Sequence, residues 1–435
     1  MILDAFFVVI LPERGVKMRY GLIGERLSHS FSKDIHERIA DYQYDIIPLT
    51  KEEFHPFMQA KQFQAINVTI PYKKDVIPYL DELDESAQKI GAVNTIVNDH
   101  GFLKGYNTDY YGFDYMLQKH SIDLEGKKVI VLGNGGASAA IQAVVQSYPI
   151  KEMIVVNRHQ SGHVISYEQC YKHHQDAHIL INTTPVGMFP HNDASPIQLS
   201  SFMQLEAVID IVYNPLYTQL CVAAKERKIA YVGGLEMLIA QAKYAVEHFL
   251  QTKLDDALID QIYRDMLKER VNIALIGMPS CGKSTIAKIL SEKLQRPLIE
   301  FDDEIVTKTK MSIPQIFELM QEEGFRKIES EICAQYAKQN GYIFSTGGGI
   351  IKNEKNMQYL QQNSIIVFID RDIEKLVYED DNRPLSKNKE AIIKMFQERY
   401  PLYKKYANII VTNNISLEAV VDEIIIEYKN ALDKM

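Results

Sequence analysis

Short apolar runs alternate with segments of helical spacing along most of this chain. In the first half, SFSKDIHERIA (residues 30–40) predicts a helix, YQYDIIPL (42–49) a strand and KEEFHPFMQA (51–60) a second helix. QAINVTI (64–70) predicts a strand that ends at Pro71. AVNTIVN and GFLKGYN flank Asp99-His100-Gly101, which suggests a hairpin. KKVIVLGNGGASAAIQAVVQ (127–146) then predicts strand, glycine turn and helix, and EMIVVNR, HILINTTP and EAVIDIVY predict further strands. That alternation is a doubly wound α/β pattern. From Gly234 to about Leu267 the spacing of Leu238, Ala242, Ala245 and Phe249 predicts one long helical stretch. At VNIALIGMPSCGKSTIAKIL (271–290) a strand–loop–helix pattern restarts with a different glycine loop, so a domain boundary is expected near Glu269.

The 435 residues suit several domains rather than one core. The expected division is a substrate domain over 18–120 completed by helices in 234–267, a dinucleotide domain over 121–233, and a third α/β domain with a parallel sheet over 270–435. A net charge of −9 argues against non-specific nucleic-acid binding. No apolar run has the length of a membrane span. Residues 1–17 lack a basic flank and a cleavage site, and are expected to be an extension without chemistry. The four cysteines, Cys170, Cys221, Cys281 and Cys333, form no CxxC pair and fit a reducing cytoplasm. The pattern says nothing of oligomeric state.

Gly277-Met278-Pro279-Ser280-Cys281-Gly282-Lys283-Ser284 fits GxxxxGK[ST], between a predicted strand and a predicted helix. Backbone N–H groups of such a loop converge on phosphate, and the following helix presents its positive end to the anion. Lys283 can reach the β and γ phosphates, and the Ser284 hydroxyl, followed by Thr285, can ligate Mg²⁺.

Five further motifs follow in order: Glu300-Phe301-Asp302, Phe325-Arg326-Lys327-Ile328-Glu329, Ser345-Thr346-Gly347-Gly348-Gly349, Arg383-Pro384-Leu385 and Arg399-Tyr400-Pro401-Leu402-Tyr403. With them, residues 270–435 resemble the shikimate kinase family. The resemblance implies an ATP-dependent phosphotransferase. Arg326 and Arg399 would clamp a carboxylate, and Asp302 would orient or deprotonate the accepting hydroxyl. Gly348 and Gly349 would approach the ring, and Arg383 would close over the phosphates. Glu300 departs from the Asp usual in the family. Arg326 beside Glu329 also reads as an ordinary helical salt bridge.

Residues 18–267 resemble the shikimate dehydrogenase family. The match runs through Ser28-His29-Ser30-Phe31-Ser32, Asn67-Val68-Thr69-Ile70-Pro71-Tyr72-Lys73, Asn94, Asn107-Thr108-Asp109 and Gly133-Asn134-Gly135-Gly136-Ala137-Ser138. It implies Lys73 as proton donor with Asp109 as its partner. Ser30, Ser32, Thr69, Asn94, Tyr213 and Gln241 would bind substrate. Gly133, Asn134, Gly135, Gly136, Ala137, Asn157, Arg158, Gly234 and Met237 would bind the dinucleotide. Ser138 takes the place of the third glycine of GxGxxG, and Glu236 stands where the family often has Gly. Arg158 at the end of a predicted strand, where an acidic residue would favour NAD, points to NADP(H).

Together the two resemblances imply reduction of 3-dehydroshikimate with NADPH and phosphorylation of shikimate with ATP and Mg²⁺. The alternatives are an NAD-linked quinate/shikimate dehydrogenase joined to the kinase, or a chain with one site decayed to a ligand-binding module.

Overall fold

The computed structural model describes residues 20–25, 27, 30–376, 389–414 and 416–435. The chain divides into two compact units. One runs to Val186 and takes in Ser195–Asn214 and Ala223–Tyr263; the other holds Gly187–Ala194, Pro215–Val222 and the chain from Arg264 onward.

The first unit begins with β1 (Tyr20–Gly24), α1 (Ser32–Ile39), β2 (Tyr44–Pro48), α2 (Lys51–Ala60), β3 (Ala65–Val68), β4 (Glu82–Leu83), α3 (Glu85–Ile90), β5 (Thr95–Asp99), β6 (Phe102–Tyr106) and α4 (Thr108–Lys119). Its sheet has the order β2-β1-β3-β5-β6-β4. The expected hairpin is present: β5 and β6 pair antiparallel, with Asp99 opposite Phe102. His100 and Gly101 turn between them at φ 49° and 97°, the left-handed pair that a two-residue hairpin needs. Helix α2 starts where the sequence predicts, because Thr50 and Glu53 form a reciprocal capping box.

The next elements are β7 (Lys128–Leu132), α5 (Gly136–Ser147), β8 (Glu152–Val156), α6 (Tyr167–His173), β9 (Ile179–Asn182), β10 (Ala207–Asp210), α7 (Gln219–Glu226), β11 (Ala230–Val232), α8 (Leu235–Leu250) and α9 (Ala257–Arg270). The strands form a parallel sheet of order β11-β10-β9-β7-β8. The chain order reverses between β7 and β9, which opens a crevice at their carboxyl ends. All of β7 is buried, as in a sheet covered on both faces.

The single stretch expected over 234–267 is instead two helices. Gln251 ends α8 in the left-handed conformation, at φ 50°. The buried Glu247 carboxylate then accepts from Leu254 N at 2.9 Å and from Lys253 Nζ at 2.8 Å, which fixes the connecting turn. The apolar spacing continues across this break, so periodicity alone did not reveal it.

The second unit contains β12 (Asn272–Ile276), α10 (Lys283–Leu294), β13 (Leu298–Glu300), α11 (Phe301–Thr309), α12 (Ile313–Tyr336), β14 (Ile343–Ser345), α13 (Glu354–Asn363), β15 (Ser364–Asp370), α14 (Lys389–Tyr406), β16 (Ile409–Thr412) and α15 (Leu417–Leu432). Its sheet is parallel throughout, with the order β13-β14-β12-β15-β16. Strand β12, which leads into the glycine loop, lies at its centre.

Candidate functional site

In the first unit, Lys73 follows the turn after β3, and Asp109 sits in the first turn of α4. Lys73 Nζ donates to Asp109 Oδ2 at 2.5 Å, with side chains only 12% and 10% exposed. The other Asp109 oxygen accepts from Asn94 Nδ2 at 2.9 Å. Asn94 Oδ1 in turn accepts from Thr108 N at 2.7 Å and from Thr95 Oγ1 at 3.0 Å. Gln241 on α8 brings its Oε1 to 3.5 Å from Asn94 Nδ2 and from Thr108 Oγ1. A buried polar cluster thus holds an ammonium–carboxylate pair in fixed geometry. It can deliver a proton and oppose charge developing on an oxygen.

Ser30 and Ser32 bracket Phe31 at the start of α1, their hydroxyl oxygens 3.0 Å apart. Ser30 Oγ also accepts from Ser32 N at 3.2 Å, so these serines answer each other and do not cap the helix. The Phe31 ring lies 5.2 Å from that of Tyr213, which brings Tyr213 to the serines. Burial pushes the Tyr213 phenol pKa up. Thr69 is half-buried beside β1, its N donating to Ile23 O at 2.9 Å.

The glycine turn after β7 faces the same pair. Gly133 takes φ 103°, and a β-carbon there would meet Thr183 Oγ1 at 2.6 Å. Only glycine allows the β7 and β9 loops to meet so closely. Ser138, fully buried, donates to Gly133 O at 2.8 Å and so braces the turn from the third glycine's place. Gly135 and Gly136 open α5 with space around Gly135, while a β-carbon on Gly136 would lie 3.4 Å from Lys73 Cδ. The amino end of α5, suited to a pyrophosphate, therefore lies beside the lysine. Asn157 and the exposed Arg158 follow β8. Gly234 packs its backbone on Ile211, where any side chain would clash with Ile211 O. Met237 is 6% exposed and packs in the core with Phe113, Val131 and Ile181.

In the second unit, Gly277 (φ 151°), Ser280 (φ 63°) and Gly282 (φ 99°) shape the loop between β12 and α10. Lys283 Nζ reaches back to Gly277 O and Met278 O, at 3.0 Å each. Ser284 and Thr285 are exposed, and Ser284 Oγ lies 3.3 Å from Ser345 Oγ at the end of β14. Asp302 stands in the first turn of α11, two residues beyond Glu300, where β13 ends. Glu300 is held by Lys288 at 3.3 Å.

The glycine triplet joins these parts. A β-carbon on Gly347 would meet Glu329 Oε1 at 2.5 Å and Asp302 Oδ1 at 3.5 Å, and one on Gly348 would meet Pro279 Cδ of the phosphate loop at 2.9 Å. On Gly349 it would fall on the Arg326 guanidinium. Arg399 is 4% exposed and donates to Gly348 O at 3.0 Å. Arg326 donates to Glu329 at 2.8 Å and to Glu322 at 3.2 Å. The salt bridge read from the sequence is therefore present, in the same place as the triplet. Burial pushes the Glu329 carboxyl pKa up against the pull of Arg326. Burial opposes the charge on Arg326 too, but Glu329 and Glu322 hold its pKa above the ordinary value.

The model of the shikimate dehydrogenase substrate binding domain matches residues 22–96, and that of shikimate kinase matches residues 279–429. A shikimate dehydrogenase (NADP(+)) of Clostridium beijerinckii is 38% identical over 261 residues, 56% of this chain and 96% of that relative. The chain belongs to the shikimate dehydrogenase family. It carries a shikimate kinase domain after it. Among solved structures, shikimate dehydrogenase 1 of Peptoclostridium difficile matches with TM-score 0.54 and 35% identity over 57% of this chain and 97% of its own. A chorismate mutase/shikimate 5-dehydrogenase fusion protein of Clostridium acetobutylicum matches with TM-score 0.55 and 33% identity over 58% and 97%.

The dehydrogenase part gathers Lys73, Asn94, Asp109 and Gln241, and separately Ser30 and Ser32, with Phe31 between them against Tyr213. The kinase domain gathers Lys283, Ser284, Asp302, Arg326, Gly348, Gly349 and Arg399. Arg383, with Ser28 and His29, lies outside the described residues. Sequence reasoning missed Glu322, and also Asn413, whose Nδ2 donates to Cys281 O at 2.7 Å and braces the phosphate loop. No motif marks them: Glu322 reads as an ordinary helical acid one turn before Arg326, and Asn413 acts on a residue distant in sequence. All four cysteines are buried and free. No group of three metal-ligating side chains occurs among the described residues, and no helix there is long and apolar enough to cross a membrane.

Proposed function

We propose that this chain reduces 3-dehydroshikimate to shikimate with NADPH, and then phosphorylates the shikimate hydroxyl with ATP and Mg²⁺. The reading is carried by one observation: a nearly buried ammonium–carboxylate pair, Lys73 and Asp109 at 2.5 Å, with the lysine stem against Gly136 of the dinucleotide turn.

When bound, NADPH supplies the hydride, which goes to the ring carbonyl carbon. Lys73 gives a proton to the carbonyl oxygen as negative charge grows there. Asp109 aims the ammonium, and Asn94 aims Asp109. Gln241 bonds a ring hydroxyl, while Ser30, Ser32 and Tyr213 take the carboxylate. The pattern fits NADPH: the open amino end of α5 suits the pyrophosphate, and Arg158 is free to meet a 2′-phosphate.

In the kinase domain Arg326 and Arg399 grip the shikimate carboxylate. Asp302 accepts the proton of the attacking hydroxyl while its oxygen bonds the γ-phosphorus and ADP departs. Lys283 steadies the β and γ phosphates, and Arg383 is assigned to the charge that spreads in transfer. Ser284 would hold Mg²⁺. Its exposed hydroxyl is a neutral oxygen ligand, which suits an ion that keeps most of its waters. We assign the chain to the cytoplasm on its free cysteines and its small-molecule substrates.

The purified chain is given 3-dehydroshikimate, NADPH, ATP and Mg²⁺. Phosphorylated shikimate is the expected product, and its absence rejects the reading. Lys73→Ala should abolish reduction and leave phosphorylation of supplied shikimate. Lys283→Ala should do the converse. Loss of both activities from either substitution in a folded chain would contradict two separate sites.

A further inference from the structure

Helices α4 and α8 pack against each other along much of their length. Thr108 approaches Gln241, Tyr111 packs on Tyr244 at 5.9 Å, and His120 meets Glu236. At Gly112 they touch so closely that a β-carbon would lie 2.9 Å from Met237 O and from Gln241 N. Both helices bring polar groups to the lysine pair: α4 carries Asp109 in its first turn, and α8 carries Gln241. The setting of one helix along the other therefore decides where Gln241 stands relative to Asn94, Asp109 and Lys73.

At the far end of this contact, the His120 Nε2 and Glu236 Oε2 atoms are 2.6 Å apart. Glu236 is 3% exposed, in the first turn of α8. His120 is the C-cap of α4. A carboxylate at a helix amino end and a ring nitrogen donor at a helix carboxyl end each match the local helix dipole. The pair thus joins the two ends with the polarity both favour. The groups facing it come from three elements. Tyr115 and Lys119 of α4 bond Asp260 of α9 at 3.1 and 2.6 Å. Tyr263 of α9 and Tyr231 of β11 are close enough that Glu236 and Tyr231 help burial to raise the Tyr263 phenol. Within this group, the contact that links the Glu236 carboxylate to α4 is the one with His120.

We infer that His120 and Glu236 form a lock that sets α8 along α4, making His120 a positioning residue for the ring-binding face of the reductase site. The inference rests on the dehydrogenase reading. It goes beyond that reading by giving substrate placement to a pair at the opposite end of α4 from Asp109. The Lys73–Asp109 pair is held by Asn94 and does not depend on the lock; Gln241 does.

The test uses the full chain, with kinase activity as an internal measure of folding. His120→Asn and Glu236→Gln should each raise KM for 3-dehydroshikimate about tenfold, the scale expected of a small displacement of a positioning group. The value of kcat, KM for NADPH and the kinase rate should stay close to wild type. Amide exchange should quicken over 235–241. His120→Lys, which keeps a nitrogen donor for the carboxylate, should recover most of the KM. An unchanged KM in both single variants overturns the lock, as does an equal loss of kcat and KM that lysine does not rescue. Should a single variant fail to fold, His120→Leu with Glu236→Leu removes the buried charge together with its partner. That double variant must then show the raised KM, and a wild-type KM refutes the proposal. Failure of the underlying reading looks different, because the wild-type chain itself would not reduce 3-dehydroshikimate.

Discussion

The stem of Lys73 passes Gly136 so closely that a β-carbon on the glycine would sit 3.4 Å from Lys73 Cδ. One contact thus ties the proposed proton donor, beside one sheet, to the glycine turn of the other, where the dinucleotide is proposed to bind. It also sets what the glycine position tolerates. A methyl group at that distance is in ordinary van der Waals contact, so Gly136→Ala should cost little. Gly136→Leu extends into the space that the lysine and a bound nicotinamide would share. It should lower kcat/KM for reduction by about 10²-fold and leave the kinase rate unchanged. Steady-state kinetics of both reactions on one preparation would check this, and full reduction by the Leu variant would show that the contact is incidental.

On the proposed reading, Arg158 selects the dinucleotide. It stands two residues past the end of β8, and Val156 at that end accepts from Gly133 N at 2.8 Å, so the arginine and the glycine turn share the carboxyl end of two paired strands. Its exposed guanidinium can pair with a 2′-phosphate, whereas a carboxylate there would bond a free ribose hydroxyl. Arg158→Asp should lower kcat/KM with NADPH by about 10²-fold, on the order of two charge-assisted hydrogen bonds, and raise it with NADH. An unaltered ratio between the cofactors would move the selection to another residue.

What the sequence made legible here is local. The hairpin at His100-Gly101, the turn at Gly133 and the loop at Gly277 are each set by backbone conformations that few residues allow, so composition marks them. Capped helix starts such as Thr50–Glu53 are equally local. The site's contacts between distant positions are not. Arg326 reaches Gly349, Phe31 reaches Tyr213, and Gln241 reaches Asn94 across 147 residues. The resemblance named most of these residues, but their pairing came only with the fold. The break at Gln251 escaped for a related reason: the side chain that stabilises it, Glu247, lies inside α8 and reads as an ordinary helical glutamate.

His36 makes the dehydrogenase part sensitive to acid. Its ring is fully buried, stacked on Tyr44 at 4.0 Å, and its Nδ1 pairs with the Tyr42 hydroxyl at 2.8 Å. Burial lowers its pKa from 6.5 to about 3. The unfolded chain therefore takes up this proton first as pH falls. The stability contributed by neutral His36 is whole above the unfolded value and is lost between about 6.5 and about 3. The slope is up to roughly 1.4 kcal/mol per pH unit in that window. Urea midpoints followed by amide exchange in α1 and β2 should fall from pH 7 to pH 4. His36→Phe should flatten that dependence, whatever its effect at pH 7. Equal slopes for the two proteins would mean that the folded ring stays accessible to protons.

Gln321 is the strained point of the kinase domain. It interrupts α12 at φ 58°, ψ −176°, a region that side chains other than glycine's enter at a cost of about 1–3 kcal/mol. The kink is useful where it stands. The next residue, Glu322, turns its carboxylate to the Arg326 guanidinium at 3.2 Å, and so holds the arginine that lies against the glycine triplet. Gln321→Gly keeps the kink and relieves the β-carbon, against a backbone entropy cost of about 0.5–1 kcal/mol. The variant should gain roughly 1 kcal/mol net and raise the urea midpoint of the kinase transition, with KM for shikimate unchanged because Glu322 and Arg326 keep their places. Gln321→Val, branched at the β-carbon, should lose stability and raise KM together. A glycine variant less stable than the parent would mean that the chain avoids this backbone conformation in solution, and the hold of Glu322 on Arg326 would then need another source.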